Sequence, residues 1–187
     1  ERAGLAKRIH LFQLNLEELR GNMLAIPEIA NVKLERKLPG TLRIHLSERE
    51  PFCFVVRGQD LFEVAQDGVI LGIRKPDSTI HVPVITGLGK FNIRKTRINR
   101  IEDALFRQTT ELLTQAGVEL REEIAEVDLA NFRIYTIDSI QVELGDLSKN
   151  IEKMSALRAL LAGGDRSRIV EIDLRLPTQP VVLTNKD

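Results

Sequence analysis

The first clear pattern along the chain is helical. Leu16, Leu19, Met23 and Leu24 recur at the spacing of one helix face. Asn15 precedes them as an N-cap, and Glu17 and Glu18 fill the first turn, where the helix dipole favours negative charge. Pro27 ends the run, so the spacing predicts a short helix from Leu16 to Leu24. The period then becomes that of a strand. Val32, Leu34 and Arg36 alternate with Lys33 and Glu35, Leu38-Pro39-Gly40 makes a turn, and Leu42, Ile44 and Leu46 alternate with Arg43, His45 and Ser47. Two alternating runs about a Pro-Gly turn predict a β-hairpin with one dry face. One short helix covers such a face poorly, which places a second helix in Glu1 to Ile9.

At Pro51 the pattern changes again. Short apolar runs separated by turn signals at roughly ten-residue spacing predict antiparallel strands. They are Phe52 to Val56, Leu61 to Val64, Gly68 to Leu71, Val82 to Ile85, Ile124 to Leu129, Phe132 to Ile137 and Ile140 to Leu144, with Ile169 to Leu174 and Val181 to Thr184 at the end. Two helices interrupt them. Arg100 to Ala116 carries Ile101, Leu105, Leu112 and Leu113 and is closed by Gly117. Leu147 to Ala162 carries Leu147, Ile151, Met154, Leu157 and Leu161 and is closed by Gly163-Gly164. The expected fold is α+β: helices packed on a β-hairpin over residues 1–51, then an antiparallel β domain with two helices over residues 52–187.

Composition narrows the function classes. Lys+Arg and Asp+Glu number 27 each, which removes the bulk positive footprint of a nucleic-acid binder. The longest apolar runs reach about five or six residues, as in Phe52 to Val56, against the roughly 20 that a membrane-spanning helix needs. A single Cys excludes an intramolecular disulfide framework and a Cys-based zinc site. Cys53 itself lies in Phe52-Cys53-Phe54-Val55-Val56, an apolar setting that makes a thiol a small core hydrophobe rather than a nucleophile. His10, His45 and His81 fall on three separate elements with no metal-ligand spacing. Gly87-Leu88-Gly89-Lys90 is short of either phosphate-loop fingerprint and reads as a turn. Carboxylates such as Glu48 and Glu50 are abundant without marking a cleft. These residues predict neither catalysis nor a cofactor nor a metal. One local departure from neutrality is the cationic run Arg94 to Arg100, read as a solvated loop answered by Glu102 and Asp103, with contact to lipid phosphates or an acidic partner as its functional alternative.

The stretch from Ile26 to Pro51 resembles the end of the POTRA domain of the bacterial FtsQ/DivIB cell-division family. Pro27 and Ile29 match its helix stop, and Val32, Leu34 and Arg36 its first strand here. Leu38 and Pro39 match the turn, and Thr41, Leu42, Ile44, Leu46, Glu48, Arg49 and Pro51 match Thr-Leu-x-Ile-x-Leu-x-Glu-Arg-x-Pro. Asp67-Gly68-Val69-Ile70 is similar to the family's Asp-Gly turn, with Ala65 where an earlier Asp is frequent. Val82-Pro83-Val84-Ile85-Thr86-Gly87 and Ile172-Asp173-Leu174-Arg175 followed by Pro180-Val181-Val182 complete the series.

The resemblance implies a non-enzymatic scaffold of the divisome that binds FtsB and FtsL by addition of an FtsB strand to its final strand. Other division proteins would contact the POTRA domain. Matching by order places Arg175, Leu176, Thr178, Pro180, Val181, Val182, Leu183 and Thr184 at the partner surface, with Leu176 and Thr184 where the family often carries aromatics. It also implies an inner-membrane protein, single-pass through an N-terminal helix absent from this chain, with this portion periplasmic and concentrated at the septum. On that reading the chain begins after the first POTRA strand, and the POTRA sheet is one strand short. Three alternatives stay open. A POTRA module of an outer-membrane or secretion system would need tandem repeats or a barrel, a hydrolase would need converging carboxylates, and an electrostatic binder would act through Arg94 to Arg100.

Overall fold

The computed structural model describes residues 13–74, 82–94, 98–163 and 166–185. The expected helix in Glu1 to Ile9, together with His10 and His81, lies outside the described residues. Helix α1 spans Leu16–Met23, and the Asn15 side chain accepts from the amides of Glu17 and Glu18 at 3.1 and 3.2 Å. It buries Leu19 and Met23 against Ile29 and Val32 of the hairpin formed by β1 (Ile29–Lys37) and β2 (Thr41–Glu48). Leu34, Leu42 and Ile44 flank this small cluster at half burial.

The remaining chain builds a nine-stranded sheet. Its strands are β3 (Pro51–Arg57), β4 (Asp60–Ala65), β5 (Ile70–Arg74), β6 (Val84–Thr86), β9 (Ile124–Asp128), β10 (Arg133–Thr136), β11 (Gln141–Glu143), β12 (Ile169–Asp173) and β13 (Val181–Thr184). A small ladder of β7 (Ile93–Arg94) and β8 (Arg100–Ile101) is joined just ahead of β5 by an antiparallel bridge between Val69 and Arg100. The order across the large sheet is β13-β12-β11-β10-β9-β6-β3-β4-β5. The α+β class holds, while the sheet is mixed rather than wholly antiparallel: β3–β6, β6–β9 and β11–β12 run parallel. Parallel neighbours require a crossover connection. Helices α2 (Ala104–Glu122) and α3 (Asn150–Ala162) supply it between β6 and β9 and between β11 and β12.

Register carries one apolar row across the sheet. Phe62, Val55, Ile85, Val127, Ile134, Val142, Ile172 and Val182 are paired in that order, and all but the half-buried Val182 are buried. Leu112, Leu113, Ala116 and Leu120 of α2 and Met154, Leu157 and Leu161 of α3 belong to the same core. The adjacent row, with Glu126, Tyr135, Gln141, Glu171 and Leu183 in register, forms the opposite face, where alternation has turned polar.

Both long helices depart from their expected bounds. α2 starts at Ala104, because the Asp103 carboxylate caps Leu105 and Phe106 at 2.8 and 3.0 Å, while Arg100–Ile101 pairs as a strand. Gly117 interrupts its geometry at φ 71°, a left-handed value suited to glycine, yet the chain resumes helical turns so that Leu120 reaches the core. α3 starts at Asn150 rather than Leu147. Lys149 stands before it with φ 52° and gives no side-chain cap. The loop into α3 is held from inside instead: the buried Lys153 ammonium donates to the Asp146 carbonyl at 2.9 Å and to Asp146 Oδ1 at 2.6 Å. No helix among the described residues is long and apolar enough to cross a membrane.

Candidate functional site

The outermost strand on one side of the large sheet is β13. It pairs antiparallel with β12 through Ile169–Thr184, Glu171–Leu183, Ile172–Val182 and Asp173–Val181, with a bulge between Ile169 and Glu171. Among the described residues no strand pairs with its other side. An edge strand leaves its outward N–H and C=O groups free for another strand. Side chains alternate accordingly. Val182 turns inward onto the core, whereas Val181 and Leu183 are 54% and 53% exposed on the polar face, and Thr184 is exposed. No charged side chain guards this four-residue run.

The loop from β12 to β13 shapes the approach to that edge. Leu174 is buried, and its amide donates to the Glu143 carbonyl at 2.8 Å, continuing the parallel β11–β12 ladder by one bond. Arg175 folds back on Asp173: its amide and Nε donate to Asp173 Oδ1 at 2.9 and 3.0 Å, and its Nη2 donates to Oδ2 at 2.6 Å. The guanidinium bonds hold the Asp173 carboxyl below its ordinary range. The turn closes when the Gln179 amide donates to the Leu176 carbonyl at 2.9 Å, which leaves Leu176 62% exposed. Asp173, Arg175, Leu176, Gln179 and Val181 line a cleft of about 330 Å³. Its apolar walls are Leu176 and Val181, and the ion pair sits at its rim.

Of the residues expected at a partner surface, Arg175, Leu176, Thr178, Pro180, Val181, Leu183 and Thr184 are exposed around one edge. Val182 lies in the same strand but faces the core. Asp173 and Gln179 line the cleft without having been expected there. The signal for Asp173 was its two-residue spacing from Arg175 at a strand end. Gln179 carried none, because its place follows from the turn.

The other chemically notable residues are dispersed. Cys53 is fully buried, and burial pushes its thiol up to about 12. His45 is exposed on β2, opposite Lys33. Gly87 and Gly89 both take positive φ, 71° and 68°, in an irregular connection after β6, and Gly87 abuts Ala130, so the expected turn is an irregular loop. Within the cationic run, residues 95–97 lie outside the described residues, and Arg100 donates to Asp67 at 3.2 Å. Glu48 and Glu50 flank a cleft with Arg49 and Arg121. No group of three metal-ligating side chains occurs among the described residues.

Comparison with known proteins matches this arrangement in two blocks. Residues 1–49 match the FtsQ-type POTRA domain, and residues 54–175 match the C-terminal part of cell division protein FtsQ/DivIB. Cell division protein DivIB of Clostridium acetobutylicum is 33% identical over 88 residues, covering 47% of this chain and 35% of that protein. DivIB of Clostridium botulinum is 27% identical over 152 residues, covering 77% and 57%. Cell division protein FtsQ of Bradyrhizobium diazoefficiens is 25% identical over 187 residues, covering 98% and 51%. The chain thus spans about half the length of the curated relatives it matches.

Proposed function

This chain belongs to the FtsQ/DivIB family of cell-division proteins, and from that premise we propose that it is a non-enzymatic scaffold whose β13 edge binds the FtsB–FtsL pair. In this reading a segment of FtsB adds as a further strand beside Val181–Thr184. The scaffold thereby links early division proteins to septal peptidoglycan synthesis. Its place is the periplasmic side of the inner membrane at the septum, and the hairpin domain over residues 1–51 meets other division proteins.

The observation that carries the reading is the edge itself: an uncharged strand whose outer side has no partner among the described residues, with Val181 and Leu183 exposed beside a cleft walled by Leu176. Added main-chain hydrogen bonds would supply affinity, and the side chains along the edge would select the partner. Each such bond is worth about 0.5–1.5 kcal/mol net, so a short strand needs apolar contacts as well.

The test uses the face that the core does not need. Val181→Lys and Leu183→Glu alter exposed positions and should leave the fold intact, whereas Val182 is unsuitable because it packs inward. Each substitution is expected to weaken binding of the periplasmic FtsB–FtsL complex by roughly tenfold or more, read by titration calorimetry. Unchanged affinity in folded variants would remove β13 from the interface.

A further inference from the structure

The two sheets are joined by a connection of two residues, Arg49 and Glu50, between the end of β2 and the start of β3. Among the described residues no β-ladder spans the junction, and the two apolar clusters share no residue. Beside the connection lies an open cleft of about 430 Å³ that includes Ala30, Glu50, Phe52 and Arg121, so the units are not packed face to face there. Neither sheet pairing nor a common core sets the angle between them.

Arg49 reaches across this gap. Its side chain is only 11% exposed. Nη1 donates to the carbonyls of Pro27 and Ile29 at 2.9 and 2.6 Å, on the hairpin side. Nε and Nη2 donate to Asp67 Oδ2 at 3.1 and 3.0 Å, in the β4–β5 turn. The Arg49 amide donates to the Glu28 carbonyl at 2.7 Å, which holds the base of the side chain. Asp67 is braced in turn, since Arg100 donates to Oδ2 at 3.2 Å and Oδ1 accepts from the Val69 amide at 3.4 Å. A planar guanidinium can serve two carbonyls on one edge and a carboxylate on the other at once. An ammonium cannot reproduce that fork.

We propose that the Arg49–Asp67 contact is a clasp that locks the orientation of the hairpin unit against the nine-stranded sheet, and that releasing it turns Arg49-Glu50 into a hinge between two folded units. The clasp is independent of what binds at β13. It concerns the relative placement of the two units, through which a partner held by one would be presented to a partner held by the other.

The test measures distance rather than stability alone. Nitroxides at Lys33→Cys on β1 and Ile151→Cys on α3, both exposed, report the separation of the units by pulsed electron resonance. Cys53 is fully buried and stays unlabelled. The parent should give one narrow distance distribution. Arg49→Gln and Asp67→Asn should each broaden it at least twofold, and Arg49→Lys should broaden it too, although charge is kept. The double substitution should add no further width, because both singles break the same contact. A parent-like width in Arg49→Gln or Arg49→Lys would overturn the proposal. So would additive widths in the double variant. Loss of Cys53 protection from thiol reagents in the single variants would overturn it as well, because the contact would then hold the core rather than the angle.

Discussion

The Lys153–Asp146 pair is unequal in its exposure, and its two halves should respond unequally to substitution. The Lys153 side chain is 1% exposed, whereas the Asp146 side chain is 63% exposed. Replacing Lys153 with Met removes a buried charge, fills a similar volume, and releases Asp146 into water that it already meets. That exchange should change stability by no more than about 1 kcal/mol. Asp146→Asn leaves the ammonium buried, with the Asp146 carbonyl at 2.9 Å and a neutral amide in place of the carboxylate. Stranding a buried charge in this way costs several kcal/mol when the site is sealed. Water admitted on the Asp146 side lowers the expected loss to about 2–3 kcal/mol. Urea unfolding followed by far-UV circular dichroism measures both, a suitable probe for a chain with no Trp and one Tyr. The pair also predicts the acid limb. Hydrogen bonds from Lys153 and then Ser148 hold the Asp146 carboxyl well below its ordinary value of 3.8. A depressed carboxylate contributes fully above its unfolded pKa, and the contribution is lost as pH falls through and below it. The parent should therefore lose stability below about pH 4, and Lys153→Met should lose less over the same interval. Asp146→Asn no more destabilising than Lys153→Met would refute the reasoning, as would identical acid limbs in parent and Lys153→Met.

Two further outcomes follow from close backbone approach and from burial. An added Cβ at Gly87 would lie 2.3 Å from the Ala130 amide nitrogen at a φ of 71°, so Gly87→Ala combines left-handed strain with a backbone clash. It should cost about 3 kcal/mol or more and lower the melting temperature by about 6–12 °C, a shift that calorimetry resolves. Cys53, fully buried with its thiol raised to about 12, should not react with an aromatic disulfide in the native protein and should react to completion in denaturant.

Local signals suffice where local physics decides. Asn15, Leu19 and Met23 contained the cap and the buried positions of α1, with Leu16 left outside the cluster, and the alternation around Leu38-Pro39-Gly40 contained the hairpin, although Leu46 at its end is exposed. Expectation and structure part where distant partners decide. Ile101 fits a helical stripe, but pairing of Arg100–Ile101 with Ile93–Arg94 takes it into a strand and leaves Asp103 as the true cap. Strand alternation is blind to parallel against antiparallel pairing. The available clue was the placement of helices between strands, which demands crossovers. At the edge, the composition of Val181 to Thr184 marked a strand, while the inward turn of Val182 depends on its register against Ile172. The role of Asp67 was illegible, because its partners lie 18 and 33 positions away.

The inward seat of Val182 has a thermodynamic consequence for anything that joins the sheet. Because Val182 packs on the core beside Ile172, β13 is ordered before any ligand arrives. Ordering a backbone costs about 1–2 kcal/mol per residue, and for these four residues the cost falls within folding rather than within association. The entropy of association then rests almost wholly with the incoming segment. Affinity at this edge should therefore follow the stiffness and strand propensity of the ligand: a ligand pre-formed as a strand gains, and one that must first be straightened loses.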